Sequence, residues 1–176
     1  MLFWIYTKNK KMKALVISDT HNNLMNLENI FKNELDADFL IHCGDVNDPE
    51  TLQYLIANFS KPIYLALGNC DQALWYWWQK QTDKPSHLNV FKEWGEVEIS
   101  NRRFAFSHYR EQVEHIRQQY DAVFYGHSHQ PFIDDLQGGH WLLNPGNAAG
   151  LYYPATYATW DLSKNFFKLN LLNNLK

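Results

Sequence analysis

Cysteine is nearly absent: Cys43 and Cys70 are the only two in 176 residues. Two thiols make no disulfide framework, which suits a reduced, cytoplasmic setting, and they supply no thiolate set for a closed structural zinc. Basic charge is also short, with 16 Lys and Arg against 19 Asp and Glu, a net charge of −3, and no basic run. That balance argues against a general nucleic-acid or anionic-membrane surface, although bound cations would still attract phosphate locally. Nor does any window approach the roughly 20 uninterrupted apolar residues of a membrane-spanning helix. The apolar opening Met1–Tyr6 lacks a basic front, falls short of the ~7–15-residue core of a secretory signal and runs into Lys8, Lys10 and Lys11. Residues 1–11 therefore read as a non-essential extension, and truncation to Met12 is expected to leave activity intact. With no repeat, low-complexity tract or linker in view, residues 12–176 read as one domain.

The chain is 45% hydrophobic and 16% aromatic, enough to bury the core of a single compact domain. That aromatic content is also compatible with homo-oligomerisation. Ala14–Ile17 is a short apolar run of the kind buried on both faces of a helix-covered sheet. Leu24, Leu27, Ile30, Phe31 and Leu35 then recur at helical spacing, Phe39–Ile41 is a second strand, and Asp48-Pro49 is the N-cap and first residue of a second helix. Pro62–Leu67 is a third strand. This βαβαβ order predicts a largely parallel sheet covered by helices. Further on, Val90–Ile99 and Arg103–Phe106 read as strands, Val113–Tyr120 as a helix and Ala122–Tyr125 as a strand. Pro131–Leu136 and Trp141–Leu143 bracket Gly138-Gly139 as a hairpin, and Thr156–Leu162 and Phe166–Leu172 follow as strands. The expected class is α/β (α+β): two mixed sheets packed together and flanked by helices, a four-layer αββα sandwich.

Polar residues of one chemical class fall just after these strands: Asp19 and His21, Asp45, Asn69, His108, then His127 and His129. Loops at the carboxyl ends of α/β strands converge, so a metal site is expected there. In extended backbone, residues two apart point the same way, so Asp19 with His21 and His127 with His129 are each expected to aim two donors together. Imidazole and carboxylate suit Mn, Fe, Zn, Co or Mg. Seven donors are too many for one four-coordinate ion and about enough for two six-coordinate ions sharing a carboxylate.

Asp19-Thr20-His21, Gly44-Asp45, Gly68-Asn69-Cys70-Asp71, His108 and Gly126-His127-Ser128-His129, in this order, resemble the calcineurin-like metallophosphoesterase superfamily. The Gly-Asn-Cys-Asp form, the small size and Asn144-Pro145-Gly146 are similar to its single-domain YfcE-type phosphodiesterase branch. The resemblance implies that Asp19, His21 and His129 hold one divalent ion, that Asn69, His108 and His127 hold another, and that Asp45 bridges them. Manganese heads the expected metals, with Ni, Co, Zn, Fe or Mg as alternatives. A metal-bridging hydroxide would then attack the phosphorus of a small phosphate ester. Asp45, Asn69 and His108 carry the catalytic roles in this scheme, with Asp71 orienting Asn69 from behind.

Departures are informative. Cys70 stands where many relatives have His, and it reads as a small buried hydrophobe. Tyr109 and Arg110 replace the usual Gly after His108, narrowing the pocket or supplying a phosphate contact. Asp19 and Asp45 could serve as helix N-caps instead of ligands. His42, His87, His115 and His140 read as ordinary core or surface residues, and Trp75–Trp78 as a segment packed on the core. The competing functions are a non-catalytic scaffold, as in the retromer subunit that resembles this family, and a phosphomonoesterase or nuclease.

Overall fold

A computed structural model describes residues 12–136 and 138–172. The expected extension, 1–11, lies outside the described residues. β1 (Lys13–Ile17), β2 (Phe39–His42), β3 (Ile63–Ala66) and β4 (Leu88–Phe91) run parallel, joined by α1 (Leu24–Asn33), α2 (Pro49–Asn58) and α3 (Gln72–Gln79). β5 (Trp94–Ile99), β6 (Arg102–Ser107), α4 (Arg110–Val113), a 3-10 turn (Glu114–Gln119), β7 (Ala122–Phe124), β8 (Phe132–Leu136) and β9 (His140–Asn144) follow. β10 (Thr156–Asp161) and β11 (Phe166–Leu171) close the chain. One sheet has the order β11-β10-β1-β2-β3-β4 and the other β5-β6-β7-β9-β8. Both are mixed, because β10 and β11 in the first and β5 and β8 in the second pair antiparallel.

Alternation along β1 explains the layers. Leu15 and Ile17 join Leu27, Ile30, Leu52, Leu55 and Leu74 under the helices, whereas Ala14 and Val16 join the core between the sheets. That inner core is aromatic: the Phe104 ring lies 5.7 Å from Phe39 and 5.7 Å from Trp160. Burial of such a side chain contributes about 1.5–3 kcal/mol, and ring–ring geometry adds about 0.5–1.5 kcal/mol. A third cluster, Ala105, Val123 and Leu142, packs under Val113 and Tyr120. The four-layer αββα sandwich is the architecture expected from the sequence. Among the described residues, no helix is long and apolar enough to cross a membrane.

Three local expectations differ from the structure. Val90–Ile99 is not one strand: the chain breaks at Lys92-Glu93, leaving β4 in the first sheet and β5 in the second. Gly95 allows the crossing, since a Cβ there would sit 2.6 Å from Phe106 and 2.7 Å from Phe91. The helix read over Val113–Tyr120 is one α-turn followed by the 3-10 turn. Leu35 lies beyond α1, 80% exposed. The helix stops at Asn33 because Glu34 is drawn inward, where its Oε1 accepts from the Tyr157 hydroxyl at 2.9 Å. Asp48 does cap α2, accepting the Thr51 N–H at 2.9 Å.

Candidate metal centre

The donors sit just beyond the carboxyl ends of β1, β2, β3, β6 and β7, on one rim of the sandwich. Five of the seven have left-handed backbones: φ is 53° at Asp19, 39° at His21, 58° at Asp45, 65° at His127 and 58° at His129. Left-handed geometry is costly for residues with a Cβ and concentrates at functional sites. It also overturns the expectation that His127 and His129 aim together. His129 Nε2 meets Asp19 Oδ1 at 3.2 Å and His21 Nε2 at 3.2 Å, whereas His127 Nδ1 meets His108 Nε2 at 3.2 Å. The pair is divided between two halves of the site. Asp19 and Asp45 do not act as caps, since Asn23 and Asp48 cap α1 and α2.

In the first half, Asp19 is fully buried, and the neighbour of its Oδ1 is His129 Nε2 at 3.2 Å. Burial is the largest influence and would raise this carboxyl, but His129, the nearby His108 and the Ser18 hydroxyl together hold it below its ordinary value. Asp19 in turn raises His129 above its ordinary value. The field that favours a proton there favours any cation.

The second half is explicit about its lone pairs. His108 Nδ1 lies 2.8 Å from the Cys43 carbonyl, which only accepts, so Nδ1 carries the proton and Nε2 faces the site bare. Around that Nε2 stand Asn69 Oδ1 at 3.0 Å, His127 Nδ1 at 3.2 Å and Asp45 Oδ2 at 3.4 Å. Asn69 Oδ1 and Asp45 Oδ2 only accept, so lone pairs face the bare Nε2 with the His127 imidazole beside them, a set that fits a metal ion. Asp45 Oδ2 is also 3.7 Å from His21 Nε2, so this one carboxylate faces both halves. Three overlapping donor groups result: Asp19 with His21 and His129, Asp19 with Asp45 and His108, and His21 with Asp45 and Cys70.

Cys70 thus departs from the expectation of a buried hydrophobe; it is exposed, and Cys43 is the buried thiol. The tight Gly68–Asp71 turn turns Cys70 outward at the mouth of the site, where its N–H donates to Asp45 Oδ1 at 2.8 Å. Desolvation, followed by the Asp45 charge, pushes its thiol up to about 11 in the metal-free protein. Asp71 also acts elsewhere than expected. Its carboxylate receives the N–H groups of Asp45 and Gly68, each at 2.8 Å, and of Asn47 at 2.7 Å, bracing the Asp45 loop and not the Asn69 side chain. In Asp71→Asn an amide NH2 would face at least one of these donors. Metal affinity is expected to fall about 10–100-fold and stability by about 1–3 kcal/mol, as read by calorimetric titration and thermal melting.

Sequence reasoning gave His42 no part beyond the core. Fully buried, it accepts the Gly44 N–H on Nδ1 at 3.1 Å, and its Nε2–H reaches Thr20 Oγ1 at 3.3 Å. Burial drives its pKa down to about 3, so it remains neutral. Thr20 passes the support to the Asp45 carbonyl, to which it donates at 3.4 Å. Close approach also restricts Gly68, where a Cβ would lie 2.1 Å from Asp45 Oδ1. Gly68→Ala is expected to displace that carboxylate and weaken metal binding more than Asp71→Asn does. Overpacking there costs about 1–3 kcal/mol of stability.

Tyr109 does narrow the site. Its ring lies 5.1 Å from His108 and 4.8 Å from His127, with the hydroxyl 3.5 Å from Asn69 Oδ1. Arg110 is engaged elsewhere, paired with Glu114 at 2.7 Å and 3.0 Å and lying over the Tyr125 and Phe132 rings. His115 and His140 bond backbone carbonyls away from the centre. Trp78 is buried in α3, and Trp75 and Trp77 pack against the same core.

Residues 12–165 match the Calcineurin-like phosphoesterase superfamily domain, and the chain belongs to that superfamily. A curated relative, Phosphodiesterase MJ0936 of Methanocaldococcus jannaschii, is 27% identical over 147 residues, 79% of this chain and 86% of that protein. Among solved structures, a novel archaeal phosphodiesterase superposes with TM-score 0.78 at 24% identity, covering 92% of this chain and 100% of its own. Vacuolar Protein Sorting 29 from Cryptosporidium parvum superposes with TM-score 0.67 at 18% identity, covering 92% and 97%. The two superpositions establish the shared fold. The relatives are small proteins like this one, in line with the branch expected from the motifs.

Proposed function

We infer that the chain is a divalent-metal-dependent phosphodiesterase working with two ions. Asp19, His21 and His129 hold the first, Asn69, His108 and His127 the second, and Asp45 serves both. The observation that carries this reading is the convergence of Asn69 Oδ1, Asp45 Oδ2 and the His127 imidazole on the bare His108 Nε2, with Asp45 facing both halves. The phosphodiesterase relative supports the reaction class. When bound, such ions supply Lewis-acid charge for a phosphoryl oxygen and acidify water at neutral pH. The protein's own contribution is placement: the Cys43 carbonyl fixes the His108 tautomer, Asp71 and the His42–Thr20 pair hold the Asp45 loop, and Cys70 N–H orients the Asp45 carboxylate.

Metal-stripped protein resupplied with Mn, Ni, Co, Zn, Fe or Mg tests the reading on bis-p-nitrophenyl phosphate and p-nitrophenyl phosphate. Restored turnover with preference for the diester is expected, with manganese among the activating ions and His127→Ala inactive. Metal binding without turnover for any ion would favour a scaffold that captures partners on the same fold. Residues 12–176 are proposed to suffice, so the chain begun at Met12 should retain the wild-type rate.

A further inference from the structure

The row of donors has two ends, and each ends on a tyrosine. At one end the half-buried Tyr109 ring lies across His108 and His127 and narrows the site. At the other, the Tyr152 ring lies 5.8 Å from His129 and is 92% exposed. Tyr152 sits at the centre of a three-residue turn closed by the Tyr153 N–H on the Leu151 carbonyl at 2.7 Å, with φ at 64°. Tight turns with positive φ are rare and strained for a bulky side chain, and such strain collects at ligand clamps.

The loop that carries Tyr152 is firmly held. Ala148 and Ala149 N–H bond the Ser18 and Asp19 carbonyls at 2.9 Å and 3.0 Å, and Asn26 Nδ2 bonds both alanine carbonyls at 2.8 Å and 3.2 Å. Asn147 links the loop to the metal side, donating to the His129 carbonyl at 3.3 Å and accepting the Leu151 N–H at 2.7 Å. The Leu151 carbonyl returns to His129 Nδ1 at 3.4 Å. A held backbone thus carries an exposed aromatic ring beside a candidate metal ligand, in a conformation that glycine would adopt at less cost.

We propose that Tyr152 is a specificity residue that stacks against a planar aromatic group of the phosphate ester, which makes aryl- or nucleobase-bearing esters the preferred substrates. The proposal rests on the phosphoesterase reading of the same site. Tyr109 narrows the opposite end, whereas the side of Tyr152 is open, so the proposal places an organic group attached to a phosphate at the centre toward Tyr152. A ring there replaces water on the exposed tyrosine face with aromatic contact.

Phenylphosphonate and methylphosphonate, neither with an ester bond to cleave, test this by calorimetric titration of the manganese-loaded protein. Wild type is expected to bind the phenyl compound about fivefold tighter, the size of one aromatic contact. Tyr152→Phe should retain that ratio, and Tyr152→Gly should abolish it without lowering Tm, because glycine accepts the positive φ freely. Equal binding of the two probes by wild type, or an unchanged ratio in Tyr152→Gly, would overturn the proposal. So would a ratio that falls only in Phe132→Ala, which would move the ring to the groove under His127, lined by Arg110, Tyr125, Gln130 and Phe132. Turnover of bis-p-nitrophenyl phosphate, read on the same samples, separates the two readings. Lost turnover with the phenyl preference intact removes hydrolysis alone, and retained turnover without the preference removes only the Tyr152 role.

Discussion

Asp45→Asn is expected to lower diester hydrolysis by about a thousandfold or more, corresponding to about 4 kcal/mol of transition-state stabilisation. The substitution keeps the shape of the side chain, and an amide oxygen can still accept the Cys70 N–H that now bonds Asp45 Oδ1. What disappears is the negative charge of the one carboxylate facing both halves, 3.4 Å from His108 and 3.7 Å from His21. The stability effect should have the opposite sign in the metal-free protein. Asp19, Asp45 and Asp71 are all buried, and Asp71 is held above its ordinary value chiefly by burial, with the Asp45 charge adding to it. Removing one of these charges relieves repulsion, so metal-free Asp45→Asn should melt no lower than metal-free wild type while the gain on adding metal shrinks. Wild-type turnover in this variant, or an unchanged metal-induced gain, would contradict the role given to Asp45.

Metal loading should stabilise the wild-type fold strongly. The centre joins β1, β2 and β3 of one sheet to β6 and β7 of the other, so ions bound there bind the native arrangement and not the unfolded chain. Each ion at about 100 times its dissociation constant adds about 2.7 kcal/mol. At about 2–4 °C per kcal/mol for a domain of this size, two ions give a rise in Tm of roughly 10–20 °C. Thermal melting with and without chelator checks this. A rise of only a few degrees in saturating metal would mean that the donors are spent on surface ions or on one weak site.

Much of this was legible in the sequence, for physical reasons. Strands buried on both faces announce themselves as apolar runs such as Ala14–Ile17 and Phe39–Ile41, and the residues that follow them must lie at strand ends. That logic picked out, without coordinates, the residues that the structure brings together on one rim. It failed where backbone conformation decides direction: nothing in His127-Ser128-His129 discloses a φ of 65° or 58°, so spacing alone aimed the pair together, and only the family resemblance divided it between the two halves. Asp71 looked like a neighbour of Asn69, yet the tight turn returns its carboxylate to the N–H of Asp45 across 26 residues of sequence. The break between β4 and β5 carries no Pro or Gly at Lys92-Glu93, so apolar alternation ran straight through it. Gly150-Leu151-Tyr152-Tyr153-Pro154 reads as an ordinary loop, and only the structure brings Tyr152 beside His129.

The most direct measurement is a titration of metal-stripped wild-type protein with manganese, following bound metal and bis-p-nitrophenyl phosphate turnover together. The two-ion reading predicts that turnover rises to a plateau at two equivalents per chain. Full turnover at one equivalent, or saturation of both sites with no turnover, would contradict it.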